Sequence, residues 1–180
     1  KSDCLIVLPP NNPEMHEELS DLVLKSGKLT YIDKTFAPDK ETAIRIFENA
    51  GTHGTKCYSS SALRFSTEWN DIDKSAIDRL YSEGPNEFYK YAIHQVEPIV
   101  MLMESRAKRV MFLGNEKHPE MIIEFCDGRC AHMYHRDDPE YSFKMTTVNK
   151  ENEAKVYQIK SNFFELFITH GLPSKRKIAE

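Results

Sequence analysis

Two side chains are best suited to acid–base work: Lys34, which directly follows Asp33, and His94, which sits in a largely apolar stretch. An amine on the lip of a cleft can donate to a substrate oxygen, and partial burial brings its pKa down towards working pH. An imidazole titrates near neutrality and can handle the matching proton. Lys90, His94 and Glu97 fall at spacings of four and three, so a helix would put them on one face. Ser59, Ser60, Ser61 and Arg64 add hydrogen-bonding groups. Each set also has a plain structural reading: an Asp33–Lys34 pair in solvent, a solvated helical stripe, a serine loop. The residues alone leave both readings open.

A third cluster, Cys126, Cys130, His132 and His135, has metal-like spacing. Asp127-Gly128 between two strand-like runs signals a hairpin. A two-residue loop pairs Cys126 with Arg129 and Phe125 with Cys130, which sends the two thiols to opposite faces. Metal ligands must converge on one point, so neither a metal site nor a disulfide is expected here.

The elements that must position Lys34 lie in the first third of the chain. Leu5-Ile6-Val7-Leu8 is a continuous apolar run, which places it in the middle of a parallel sheet. Pro9 and Pro10 stop it, and Asn12 can cap a helix that has Pro13 at its first position. Met15, Leu19, Leu22 and Val23 would line that helix's apolar side and Gly27 would end it. His16 falls in its first turn, near the carboxyl end of the first strand. Lys28 to Ile32 reads as a second strand, with Asp33 and Lys34 at its end. Asp39 caps a second helix, with Ala43, Ile44, Phe47 and Ala50 at helical spacing and Gly51 as its stop. Thr55 to Tyr58 is a third strand. Strands joined by helices of this length run parallel, and ligands sit beyond their carboxyl ends. That puts Asp33, Lys34 and the Ser59–Arg64 segment beside any ligand.

These segments carry a family resemblance. D-C-L-I-V-L-P-P-N, then His16, then G-K-L-T-Y-I-D-K-T resembles the dinucleotide-binding domain of the glucose–fructose oxidoreductase/inositol dehydrogenase/MocA family. There a strand ends in Pro-Asn, a histidine follows, and a Gly-Lys opens the strand that carries a Glu-Lys-Pro triplet. Here the triplet is Asp33-Lys34-Thr35: the lysine is kept, the acid is one methylene shorter and the proline is lost. The resemblance continues through A-G-T-H-G-T and S-S-S-A-L-R-F. It implies Lys34 as the catalytic lysine, with Pro10, Asn11, His16, Asp33 and Arg64 on an NAD or NADP cofactor and Ser61 on the substrate.

The second half extends it. Phe88, Tyr91, Ala92, Val96, Val100 and Leu102 give a helix a broad apolar surface, bent at Pro98. Y-A-I-H-Q-V-E-P-I-V-M-L-M resembles the family's catalytic helix, which implies His94 as the histidine acting on the substrate oxygen and Lys90 as a substrate contact. Many members carry an aspartate where Lys90 stands. A lysine there would depress the pKa of His94, and Glu97 is the remaining carboxylate on that face. Lys34 and His94 are expected to meet at one small-molecule cleft.

Trp69 to Glu83 is expected to be a charged covering helix, and Gly84-Pro85-Asn86 breaks the chain before the next one. Strands are expected at 109–114, 121–125, 130–134, 141–148 and 154–159, with a turn at His135–Pro139. One sheet face would carry Met121, Ile123, Phe125, Cys130, His132 and Tyr134, the other Ile122, Glu124, Cys126, Arg129, Ala131 and Met133. Both are partly apolar, which favours a homo-oligomer through an open sheet face, as in the resembling family. A helix rich in phenylalanine near Phe163 docks on the sheet and ends at Gly171 and Pro173, before a frayed charged tail, Ser174–Glu180.

The expected fold class is therefore α/β: a partial Rossmann-like parallel sheet (1–62) followed by an α+β substrate and oligomerisation domain with a mostly antiparallel open sheet (63–180). A net charge of -4 over 180 residues leaves no basic footprint for nucleic acid. No apolar run approaches the roughly 18 residues of a membrane span. Four cysteines are too few for a disulfide scaffold and read as reduced thiols of a cytoplasmic protein. The expected function is NAD(P)-dependent oxidation or reduction of a sugar, polyol or related hydroxyl compound. The alternative is a truncated non-catalytic relative that binds a ligand or dimerises. No G-x-G-x-x-G occurs, and the family's glycine-rich phosphate turn precedes the matching region, so the chain alone is expected to hold NAD(P) weakly or not at all.

Overall fold

The computed structural model describes residues 2–9 and 11–172. Pro10, Pro173 and the charged tail, for which expectations were given, lie outside the described residues. The fold is α/β, with a three-stranded parallel sheet and a six-stranded, mostly antiparallel one. The chain divides into two compact units. One is made of the stretch up to Ser61 with the chain from Ile168 onward; the other is Ala62–Phe167.

In the first unit the strands β1 (Cys4–Val7), β2 (Leu29–Ile32) and β3 (Cys57–Tyr58) lie in the order β1-β2-β3, all parallel. The apolar run Leu5–Leu8 was expected in the middle of the sheet. Among the described residues β1 is an edge, with Ile6 and Leu8 exposed, and β2 is the buried centre. The helices α1 (His16–Leu24) and α2 (Lys40–Thr52) make the two crossovers. Val7, Leu24, Ile32, Ile46 and Ala50 form the core of this unit.

Both helices are turned differently from the expected apolar faces. α1 buries His16, Ser20 and Leu24, whereas Leu22 is 80% exposed and Leu19 is also open to solvent. α2 buries Thr42, Ile46 and Ala50 and leaves Ile44 and Phe47 exposed. The polar ties between the two helices set this rotation. Arg45 makes a bidentate pair with Glu17 at 2.7 Å, and the Asn49 amide donates to Asp21 at 3.1 Å. Asp39 caps α2 as expected, accepting from the Thr42 N–H at 2.7 Å. α2 runs one residue past Gly51, to Thr52. Asn12 makes no side-chain cap; a 3₁₀ turn, Pro13–Met15, precedes α1 instead.

In the second unit the sheet order is β5-β6-β7-β4-β8-β9, formed by β4 (Ile77–Pro85), β5 (Ala107–Asn115), β6 (His118–Phe125), β7 (Cys130–Arg136), β8 (Lys144–Asn149) and β9 (Ala154–Gln158). The expected covering helix at 69–83 is absent. Short 3₁₀ turns at Thr67–Trp69 and Lys74–Ala76 lead into β4, a central strand. A register shift between Ile77 and Arg79 puts Ile77, Leu80 and Ser82 inside together, and this broken alternation hid the strand.

The β6–β7 hairpin closes one residue differently from expectation. Glu124 pairs with Cys130 and Met121 with Met133, so three residues, Cys126 to Gly128, form the loop. A one-residue slip turns a whole strand over. The inner face therefore holds Ile123, Phe125, Ala131, Met133 and His135, and the other face holds Ile122, Glu124, Cys130, His132 and Tyr134. His135 belongs to β7, not to a turn.

The helix α3 (Phe88–Met103) runs through Pro98 and covers the inner face. Of the expected apolar set, Leu102 is buried and Phe88, Ala92 and Val96 pack partly buried against the core, whereas Val100 is exposed; Gln95, Pro98, Ile99 and Met103 are buried as well. Arg129 donates to the carbonyls of Ile77 (2.9 Å) and Met103, which closes the end of α3. The short helix α4 (Phe163–Leu166) is capped by Asn162.

The face of the sheet away from α3 is more polar than expected. Lys144 pairs with Glu83 at 2.6 Å, Tyr141 donates to Glu83, and Tyr81 stacks on His132 with centroids 5.0 Å apart. Its apolar members include Met111 and Leu113 on β5. Among the described residues no helix is long and apolar enough to cross a membrane.

Candidate functional site

The carboxyl ends of β1 and β2 bring two of the expected residues together. Asn11 follows β1 in a left-handed conformation (φ 50°), and Lys34 follows β2. The Lys34 ammonium donates to Asn11 Oδ1 at 3.0 Å. The Lys34–Thr35 peptide bond is cis. Asp33 is anchored through its N–H, which bonds the Val7 carbonyl at 2.9 Å. Lys34 is therefore held by a neutral amide oxygen on the neighbouring strand end.

His16 is fully buried at the start of α1. Its Nδ1 lies 3.0 Å from the carbonyl of Phe36, two residues beyond Lys34. A carbonyl can only accept, so in the neutral ring Nδ1 carries the proton. Nε2 is then a bare acceptor, and it has no hydrogen-bond partner. Buried acceptors are normally paired, so this nitrogen is an exception among the described residues.

Tyr31 was missed by sequence reasoning. It is buried on β2, and its hydroxyl donates to the Ser60 carbonyl at 3.0 Å and lies 3.3 Å from Asp33 Oδ1. It ties the carboxyl end of β2 to the serine segment. Its alternation with Ile32 and Thr30 was visible, but nothing in the sequence distinguished it from a core aromatic. Ser61 is fully buried in the same segment.

The other expected residues belong to the second unit. Arg64 lies 3.3 Å from the Glu97 carboxylate. Lys90 is bound to Glu87 at 2.6 Å, and this carboxylate raises the Lys90 pKa. His94 is half-buried and packs edge-on against Phe143 (centroids 6.0 Å) and against Tyr91 (5.6 Å). The residue next to it, Gln95, is fully buried and was also missed. Its place four residues before Ile99 and seven before Leu102 was the available signal: an amide on the apolar side of a helix. Among the described residues no group of three or more His, Cys, Asp or Glu side chains could hold a metal ion.

No protein-family model and no curated protein matches the sequence. Solved structures do resemble it in fold. A putative myo-inositol dehydrogenase from Sinorhizobium meliloti 1021 superposes with a TM-score of 0.74 at 12% identity, over 89% of this chain and 58% of that one. A probable dehydrogenase from Thermotoga maritima gives 0.72 at 13%, over 88% and 57%. The WlbA dehydrogenase from Bordetella pertussis, solved with NADH and UDP-GlcNAcA, gives 0.70 at 12%, over 95% and 66%. The chain thus spans about three fifths of the length of such structures. At these identities the likeness is one of fold, and the fold is that of dehydrogenases. Inositol dehydrogenase is among the enzymes that name the family the sequence resembles, so fold and resemblance point the same way.

Proposed function

We propose that this chain belongs to a nicotinamide-dependent oxidoreductase acting on a sugar, polyol or related hydroxyl compound. The observation that carries the reading is the Lys34 ammonium, held 3.0 Å from Asn11 Oδ1 at the carboxyl ends of two parallel strands. Ligands of open α/β sheets bind at that edge. The Lys34 amine there can donate to an oxygen of a nicotinamide riboside or of a substrate. When bound, NAD or NADP would accept or supply the hydride.

The residues themselves bind, orient and move protons. Lys34 donates to the substrate oxygen as its charge changes, and Asn11 holds the amine in place. Asp33 fixes the strand end next to it. His94 takes up or returns the proton of the substrate hydroxyl. Its ring is oriented by Phe143 and Tyr91 rather than by a carboxylate at the Lys90 position. Ser61, Arg64 and Lys90 contribute polar contacts in the same reading, and Pro10 a cofactor contact. In this reading the first unit takes the cofactor-binding role and the second the substrate role. Self-association through the sheet face away from α3 belongs to this reading too, carried by Met111, Leu113 and the stacked Tyr81 and His132.

A second reading is a non-catalytic relative. Thr35 in place of proline and the engagement of Lys90 by Glu87 favour it. An assay of the full-length protein separates the two. Nicotinamide absorbance is followed with NAD and NADP against a panel of polyols, aldoses and nucleotide sugars. Saturable turnover of at least one hydroxyl compound is expected. Absence of turnover with every member, from a protein that is folded and binds the cofactor, supports the non-catalytic relative.

A further inference from the structure

The contact between α3 and the sheet is mostly greasy. Ile99, Leu102 and Met103 meet Leu80, Ile123, Phe125, Ala131 and Met133. Such contacts are non-directional, so alone they tolerate a helix that slides or rolls. One polar side chain breaks the pattern. Gln95 is fully buried on α3 and places its amide nitrogen 2.9 Å from the Tyr134 carbonyl and 3.2 Å from Ser82 Oγ. Its amide oxygen lies 2.9 Å from His135 Nδ1. The same imidazole reaches the Asn86 carbonyl through Nε2 at 2.6 Å, just ahead of the first residue of α3.

Gly84 makes room for this arrangement. A Cβ on Gly84 would lie 2.5 Å from Gln95 Cδ and 2.7 Å from its oxygen. Only a hydrogen fits there, so the glutamine lies in a notch in β4. The Tyr134 carbonyl can only accept, which fixes the NH₂ end of the amide. Sliding α3 by one turn would bury that amide without partners, a penalty that apolar contacts do not impose.

We propose that Gln95 is the positioning residue for the face of α3 that carries Lys90, His94 and Glu97, with the Gly84 notch and His135 as its seat. The importance of that face rests on the proposed function; the positioning itself does not. The contact between the His94 and Phe143 rings reads the placement of α3 against the sheet, because Phe143 directly precedes β8. The experiment is a nuclear Overhauser measurement between these two rings in the described chain. Gln95→Leu keeps the volume but leaves the Tyr134 carbonyl and His135 Nδ1 without their partner; it is expected to melt lower and to lose the His94–Phe143 signal. Ile99→Val trims the same interface; it is expected to melt lower and to keep the signal. Should Gln95→Leu not fold, Gln95→Asn serves, since its amide is one methylene too short to reach both partners, and the same loss is expected. Retention of the wild-type signal in the folded glutamine variant overturns the proposal. So does its loss in Ile99→Val, which would make it a gauge of packing in general. Neither outcome depends on whether the protein transfers hydride.

Discussion

His16 and His135 are both fully buried, yet they are held in opposite ways. His16 has one nitrogen bonded to a carbonyl and the other without a partner. Long-range nitrogen–proton correlation spectra are expected to show a proton on Nδ1, which faces the Phe36 carbonyl; a bare Nδ1 would contradict that hydrogen bond. His135 has an acceptor at each nitrogen, which favours the doubly protonated ring, but burial opposes the charge. Burial is the larger effect and pushes the His135 pKa below its ordinary value, against the pull of the Asn86 carbonyl and of Asp137. The unfolded ring, near 6.5, then binds its proton more readily than the folded one. The stability held by the neutral ring is present above that pH and is lost as pH falls below it. Unfolding free energy is expected to drop between about pH 7 and pH 5. His135→Asn should make that drop shallower, although less stable at neutral pH; an unchanged slope would remove His135 as its source. The sequence displayed Lys34, His16 and Asn11 as candidates, because they stand next to strand ends that are themselves legible. It did not display the orphaned Nε2 or the amide beside Lys34, since both depend on chain segments far apart in sequence.

The helices show why periodicity finds an element more readily than its buried face. α1 and α2 begin and end close to where caps and glycines put them. Their inner faces, however, are lined by His16, Ser20, Thr42 and Ala50 as much as by large apolar residues. A pattern reading weighted towards leucine, isoleucine and phenylalanine chose Leu19, Leu22, Ile44 and Phe47, all of which are exposed. Ile46→Ala is expected to cost about 2–5 kcal/mol. Leu22→Ala should cost within about 0.5 kcal/mol. Denaturant titrations compare the two directly, and equal losses would mean that α1 is rolled the other way. The two largest misreadings, at β4 and at the β6–β7 hairpin, share one cause. A strand's alternation carries its meaning only in phase, and one bulge or one extra loop residue reverses it. With the true register, the sheet face away from α3 mixes polar pairs such as Glu83 and Lys144 with apolar residues such as Met111, Leu113 and Ile122.

The parallel units up to Tyr58 and the antiparallel strands from β5 onward were legible, because each class of sheet leaves its own hydrophobic pattern; β4, expected as a covering helix, was not. The central claim of the proposed function is that Lys34 works on the substrate oxygen while hydride moves at the adjacent carbon. The most direct measurement compares hydride transfer and cofactor affinity in wild-type and Lys34→Ala full-length protein, once a turned-over hydroxyl compound is in hand. The account predicts a rate of the hydride step lower by about 10²–10⁴-fold, with cofactor affinity changed only a few-fold. A Lys34→Ala protein that turns over at the wild-type rate would contradict it.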